Sequence, residues 1–341
     1  MAESIRDQIR TPAEDPLDSR LSRDLLRQFR SGTLVRLRRA SYIAQSTWLS
    51  MDEIPRHLAR MHAIDAAANS RPVFAAESAA LLWGLPVQSI PERVQINVPP
   101  GSGQRSRGPA VRRQFPQLDD GEWFVDGLKV TSAVQTAVEL ALRQRYAWSI
   151  ASLDNYLHGP TSSAAWKPSA QGLREAACRL PSRAKTRRVL ALTELADAGS
   201  MSVGESISRA NMHLAGLPKP TLQACFRDDD GLIGYTDFCW REFGVVGEFD
   251  GKVKYRKPEY LQGRDPAEVV IEEKKNKGRP APCARAESCP LDLGNRQFAE
   301  SVAEQARGCG ASSLNPLFQI ASCLFVSDLR VKRLSERRKA I

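Results

Sequence analysis

Four acidic residues in the second half of the chain stand where hydrolysis of a phosphodiester would need them. Glu205 lies in GESISR, Asp237 in YTDFCW, and Glu248 and Asp250 in GEFDGKVKY. Side chains two apart on a strand share a face. Glu248, Asp250 and Lys252 would then point one way, and Gly247, Phe249 and Gly251 the other. Asp237 precedes Glu248 by eleven positions, a spacing that suits neighbouring strands joined by a turn. Acids that converge beside a sheet repel one another unless a cation neutralises them. Hard oxygen donors suit Mg²⁺ or Mn²⁺. Such an ion activates water and stabilises the charge of a phosphodiester under attack. Lys252 would orient that water or hold a phosphate oxygen.

The elements that must position these residues are legible. Ser202 reads as a helix N-cap with Glu205 at the third helical position, a capping-box arrangement, so capping alone would account for Glu205. The stretches TLQACFRD, LIGYTDFCW and FGVVGEFDGKVKY follow, separated by short turns, the first of them DDDG. They predict three consecutive antiparallel strands. An ordinary charged hairpin is the plain alternative for the acids they carry.

The first half carries charge rather than candidate chemistry. A helix from Asp18 or Ser19 to about Phe29 is expected, ended by Gly32 and followed by the basic strand of GTLVRLRRASYI. There Leu34, Arg36 and Arg38 alternate with Val35, Leu37 and Arg39. Seven arginines and one aspartate lie between Arg20 and Arg39, a local net of +6. Phosphate contacts are a natural use for such density, and a solvated face is the alternative. Arg36, Arg38 and Arg39 are the candidate DNA contacts. Further on, Pro55 opens a helix, RVQINVPP alternates as a strand, GSGQRSRG reads as a connection between strands, and LKVTSAVQTAVELALRQ reads as a strand turning into a helix.

Bulk properties bound the partners. The chain has 341 residues, 42% of them hydrophobic, which predicts a globular protein of more than one domain. Its net charge of +10 favours an anionic partner, with nucleic acid the commonest, although an arginine-rich proteome would also supply it. No run approaches the roughly 18 apolar residues of a membrane span. The polar start MAESIRDQIRTPAEDP lacks the apolar centre of a signal peptide, so a cytoplasmic location with no membrane partner is expected. The seven cysteines have no regular spacing and no C-x-x-C pair, which argues against a disulfide framework or a structural zinc.

Two resemblances sharpen these expectations. The order of Glu205, Gln223 in PTLQ, Asp237, Glu248 and Asp250 resembles the PD-(D/E)XK nuclease superfamily, nearest its branch related to very-short-patch-repair endonucleases. The resemblance spans about residues 200–275. It implies Asp237 and Glu248 as metal ligands, Glu205 as an auxiliary acid, and Gln223 and Lys254 beside the nucleic acid. Asp250 stands where the superfamily signature has lysine. Lys254 stands near a position that is often histidine in that branch. GTLVRLRRASYI, RHLARMHAIDAA, ESAALLWGLP and LKVTSAVQTAVELA resemble the antitoxin and transcriptional-regulator family of abortive-infection type IV toxin–antitoxin systems. That implies a DNA-binding winged-helix head, and a cognate toxin or other defence protein as a partner.

The expected fold class is therefore mixed α/β (α+β). Residues 1–17 read as a disordered leader, 18–50 as a winged-helix-like head, 51–197 as an α/β domain, and 198–275 as an endonuclease-like α/β/α domain. Residues 276–341 read as an atypical tail. NKGRPAPCARAESCP cannot continue the helix expected before it, four of the seven cysteines lie from Cys283 onward, and no Trp or Tyr follows Tyr260. A shift of reading frame near codon 276 would leave such a tail, with the sheet one strand short unless LFQIASCLFVSDLRV substitutes for the strand. The expected function is a Mg²⁺- or Mn²⁺-dependent endodeoxyribonuclease in phage defence or DNA repair. The alternative is a non-catalytic antitoxin-like regulator with a degenerate nuclease fold.

Overall fold

Four serines start helices by the same device. The side chains of Ser132, Ser169, Ser182 and Ser202 each accept a hydrogen bond from the backbone N–H three residues on. Each bond satisfies a donor that a helix start would otherwise leave open. The computed structural model describes residues 4–12, 19–103, 105–106, 108–160, 167–228, 231–243, 245–249 and 329–333. The fold is mixed α+β. The chain divides into two compact units, Met1–Ala198 and Gly199–Ile341.

The first unit opens with α1 (Ser19–Arg30), a hairpin of β1 (Leu34–Arg38) and β2 (Ser41–Ala44), α2 (Gln45–Ser50) and α3 (Glu53–Ala66). Gly32 ends α1 with φ +79°, a conformation open to glycine at little cost. The hairpin register shifts between Arg36 and Arg38. This bulge breaks the simple alternation read from sequence: Leu34 and Leu37 are both buried while Arg36 is exposed. The segment 4–12, expected to belong to a disordered leader, is instead tied to the head. Arg10 and Tyr42 exchange backbone hydrogen bonds of 2.8 and 3.0 Å, and Ile5 and Ile9 pack against the cluster of Leu37, Ile43, Ala59 and Ala63. Two isoleucines four apart gave the segment an apolar face that its polar composition concealed.

The rest of this unit is a five-stranded mixed sheet with helices. Its strands are β3 (Val73–Phe74), β4 (Val94–Val98), β5 (Ala110–Gln114), β6 (Trp123–Val125) and β7 (Leu128–Val130), in the order β5-β4-β3-β7-β6. The loop containing GSGQRSRG joins β4 to its parallel neighbour β5. Helices α4 (Ala76–Trp83), α5 (Ala133–Arg143), α6 (Tyr146–His158), α7 (Ala170–Cys178) and α8 (Arg183–Leu195) complete it. Every residue of α5 from Gln135 to Ala141 is buried, as expected of a helix enclosed on all sides. Trp83 is buried and donates its indole N–H to the Thr131 carbonyl at 2.9 Å.

The second unit places α9 (Val203–Leu214) with an antiparallel sheet of β8 (Thr221–Asp228), β9 (Gly231–Trp240), β10 (Val245–Phe249) and β11 (Leu329–Arg333), in the order β11-β10-β9-β8. Met212 of α9 packs with Phe238, Trp240 and Val245. The three-strand meander read from sequence is present. The fourth strand comes from the tail: Leu329–Arg333 pairs along β10 from Val245↔Arg333 to Phe249↔Leu329. The sheet is therefore not one strand short, and its added strand begins within LFQIASCLFVSDLRV, the stretch that sequence offered as a substitute. No helix among the described residues is long and apolar enough to cross a membrane.

One glycine fixes the approach of α9 to β10. A Cβ added at Gly204 would overlap the Phe249 ring. Gly204→Ala should therefore displace that ring and destabilise the chain by about 1–3 kcal/mol, the usual range for overpacking. Urea unfolding of the variant against the native chain measures this, and equal midpoints would show that the ring yields freely.

Candidate functional site

The candidate site forms where β9 and β10 part. Their ladder runs Val245↔Trp240, Val246↔Cys239, Gly247↔Phe238 and stops there. Continuing that register would set Glu248 opposite Asp237. Beyond the last rung, Asp237 Oδ2 accepts the Phe249 backbone N–H at 2.8 Å. A side-chain carboxylate thus satisfies a donor that the ladder no longer serves.

Gln223 on β8 joins Asp237 to the helix. Its Nε2 donates to Glu205 Oε2 at 3.2 Å and to Asp237 Oδ1 at 3.4 Å. One amide group therefore bridges two carboxylates, and its two N–H bonds offset part of their mutual repulsion. The Gln223 backbone has φ +47°, in the left-handed region that costs a non-glycine residue roughly 1–2 kcal/mol. Strain of this kind clusters at functional positions.

Glu205 is buried, and its oxygens are heavily used. Oε1 accepts the Ser202 hydroxyl at 2.9 Å and Oε2 accepts the Met201 backbone N–H at 2.9 Å, beside the bond from Gln223. The capping role read from sequence is real, and it leaves Glu205 suited to positioning Gln223. Glu248 is half-buried on β10, with Arg330 as its Cα partner on β11. The structure thus brings Glu205, Gln223 and Asp237 into direct contact and sets Glu248 at the same fork. Asp250, Lys252 and Lys254 lie outside the described residues.

The donor set fits a hard divalent cation in kind, since Asp237 and Glu248 offer carboxylate oxygens. Among the described residues, no group of three or more His, Cys, Asp or Glu side chains is arranged to hold a metal ion.

The three arginines of the head occupy different settings. Arg36 and Arg39 are exposed, and the Arg36 guanidinium lies 5.0 Å from the centre of the Phe29 ring. Arg38 is half-buried, and burial lowers its pKa from the ordinary arginine value. The bulge that turns Leu37 inward separates Arg36 from Arg38, so these two do not share the face that strict alternation implied.

Two buried titratable groups of the first unit carried no sequence expectation. His57 on α3 makes a 2.8 Å hydrogen bond to Ser78 Oγ, and burial, aided by the charge of Arg60, holds its pKa down at about 4. Glu139 on α5 accepts from Gln135 Nε2 at 2.9 Å, and burial pushes its carboxyl up to about 7. The signal available for Glu139 was its i, i+4 spacing from Gln135 on a helix otherwise of small and apolar residues.

No family model matches the chain, and no curated protein matches it. Among solved structures, the RV2827C protein from Mycobacterium tuberculosis is similar at 16% identity with a TM-score of 0.35, over 64% of this chain and 80% of that one. A likeness at that level carries no argument about this chain.

Proposed function

We propose that the chain is a metal-dependent DNA endonuclease whose second unit carries the hydrolytic site and whose arginine-rich head holds the substrate. The observation that carries this reading is the bridge from Gln223 to Glu205 and Asp237, made from a strained backbone at the fork of β9 and β10. Asp237 and Glu248 would hold Mg²⁺ or Mn²⁺. Such an ion supplies activated water and charge stabilisation to phosphodiester hydrolysis. Gln223 orients Asp237 and Glu205, and the Ser202 cap in turn fixes Glu205. The excess of arginine in the head draws the anionic substrate.

A second reading is a non-catalytic DNA-binding regulator of the antitoxin type. The engagement of Glu205 in its helix cap favours it, because those bonds need no substrate. Incubating supercoiled plasmid with the protein and Mg²⁺ or Mn²⁺ separates the two. Nicking that requires the metal and stops with chelator supports the endonuclease. Duplex binding without nicking in either metal supports the regulator.

A further inference from the structure

A cleft of about 840 Å³ lies within the first unit. Its walls come from the end of β1, the segment from the end of α3 into β3, the end of β4, and the β4–β5 connection with the start of β5. Four arginines line it: Arg38, Arg71, Arg105 and Arg112. No aspartate or glutamate is among the described residues that line it. None of the four arginines forms an ion pair among the described residues. Asn69 and Asn97 add neutral hydrogen-bonding groups.

Cations gathered in a concave site without counter-charges repel one another, and a bound anion relieves that repulsion. The guanidinium fork matches phosphate oxygens in geometry as well as charge. Among the described residues the lining contains no Phe, Tyr or Trp. Base-stacking platforms depend on such rings, so the chemistry suits the sugar–phosphate backbone and not a base. Arg105 belongs to the basic connection expected only to link strands, and Arg112 to β5 beyond it. Arg38, expected to contact DNA from an exposed wing, turns into this cleft instead.

We infer that this cleft is a second nucleic-acid contact, gripping the phosphate backbone without reading sequence through Arg38, Arg105 and Arg112, while the Arg71 guanidinium is held by the Gly127 carbonyl and the Phe124 ring. The inference rests on the DNA-binding part of the proposed function and adds a site that the exposed arginines of the hairpin do not form. Each phosphate neutralised contributes about −0.9 to the slope of log affinity against log salt.

The test is binding of a 20-base-pair duplex by the full chain across about 50–200 mM salt, for the native protein and for Arg105→Gln/Arg112→Gln. The slope should become shallower by about 1.8, with affinity at the lowest salt falling about tenfold or more. Arg38→Gln, on another wall, should flatten the slope by about 0.9, so a folding defect in one variant does not decide the matter. Slopes equal to the native value in both would overturn the inference while leaving the endonuclease reading in place. A native chain that binds no duplex would overturn both. Titration with inorganic tripolyphosphate is the remaining arm. Saturation tighter than that of duplex would assign the cleft to a free polyphosphate and defeat the nucleic-acid assignment.

Discussion

Asp237→Ala is expected to lower metal-dependent nicking by about a thousandfold or more, with duplex affinity little changed. A factor of that size is roughly 4 kcal/mol of transition-state stabilisation, within the several kcal/mol that Lewis-acid charge stabilisation supplies. Asp237 holds both neighbours of the site at once, taking Gln223 Nε2 on one oxygen and the Phe249 N–H on the other. Asparagine is not a neutral replacement there. Two donors face the group, and an amide offers only one acceptor oxygen. Asp237→Asn should therefore lose activity and also some stability, on the order of 1 kcal/mol for the unpaired donor. Glu248→Ala, at a half-buried position, should lose nicking with little change in stability. Kinetics on supercoiled plasmid, beside duplex binding, measure all three. Activity retained in both alanine variants would remove the two acids from the chemistry.

The second large effect concerns stability and pH. Glu139 titrates at about 7 in the folded chain, above its ordinary value of 4.5. Folding thus favours its protonated form. Its contribution is fully present below about 4.5 and is lost as pH rises through about 7. His57 is the mirror case, held at about 4 against an ordinary 6.5. Its contribution is present above 6.5 and is lost as pH falls through about 4. Each is worth on the order of 3 kcal/mol at full extent. Between about 4.5 and 6.5 the two slopes oppose each other, so in the native chain they largely cancel.

Single substitutions should unmask them. Glu139→Gln keeps an acceptor for Gln135 and removes the titration. Its stability relative to the native chain should be constant below about pH 4.5 and should rise by about 3 kcal/mol toward pH 8. His57→Gln should gain relative to the native chain as pH falls from 6.5 to 4. Ser78 Oγ accepts the Gln95 backbone N–H while it meets His57 Nε2, so the neutral ring suits the site as acceptor of the serine proton. Urea-derived stabilities at several pH values give both difference curves. Parallel curves for Glu139→Gln and the native chain would show that Glu139 ionises normally.

How far the sequence foretold this molecule depended on the range of the interaction. The cap at Ser202 and the three strands predicted between Thr221 and Phe249 are local signals, and the observed elements match them closely. Antiparallel pairing then brought Gln223, Asp237 and Glu248 to adjacent strands. The left-handed backbone of Gln223 left no mark in residue type, because glutamine has no special preference for that region. The bulge at Leu37 was hidden because alternating arginine and aliphatic residues imitate a regular strand. β11 pairs with β10 across some eighty residues of chain, so the apolar stretch LFQIASCLFVSDLRV offered a substitute strand without fixing its bounds or register. The cleft draws its arginines from positions 38, 71, 105 and 112, which only the fold assembles.

The most direct measurement is a calorimetric titration of Mn²⁺ into the native chain and into Asp237→Ala, each confirmed folded by its unfolding curve. If the acids at the β9–β10 fork share a divalent ion, the native chain gives a saturable heat of binding and the variant gives none. Identical isotherms in the two proteins, or a flat one in the native chain, would contradict the metal site and with it the endonuclease reading.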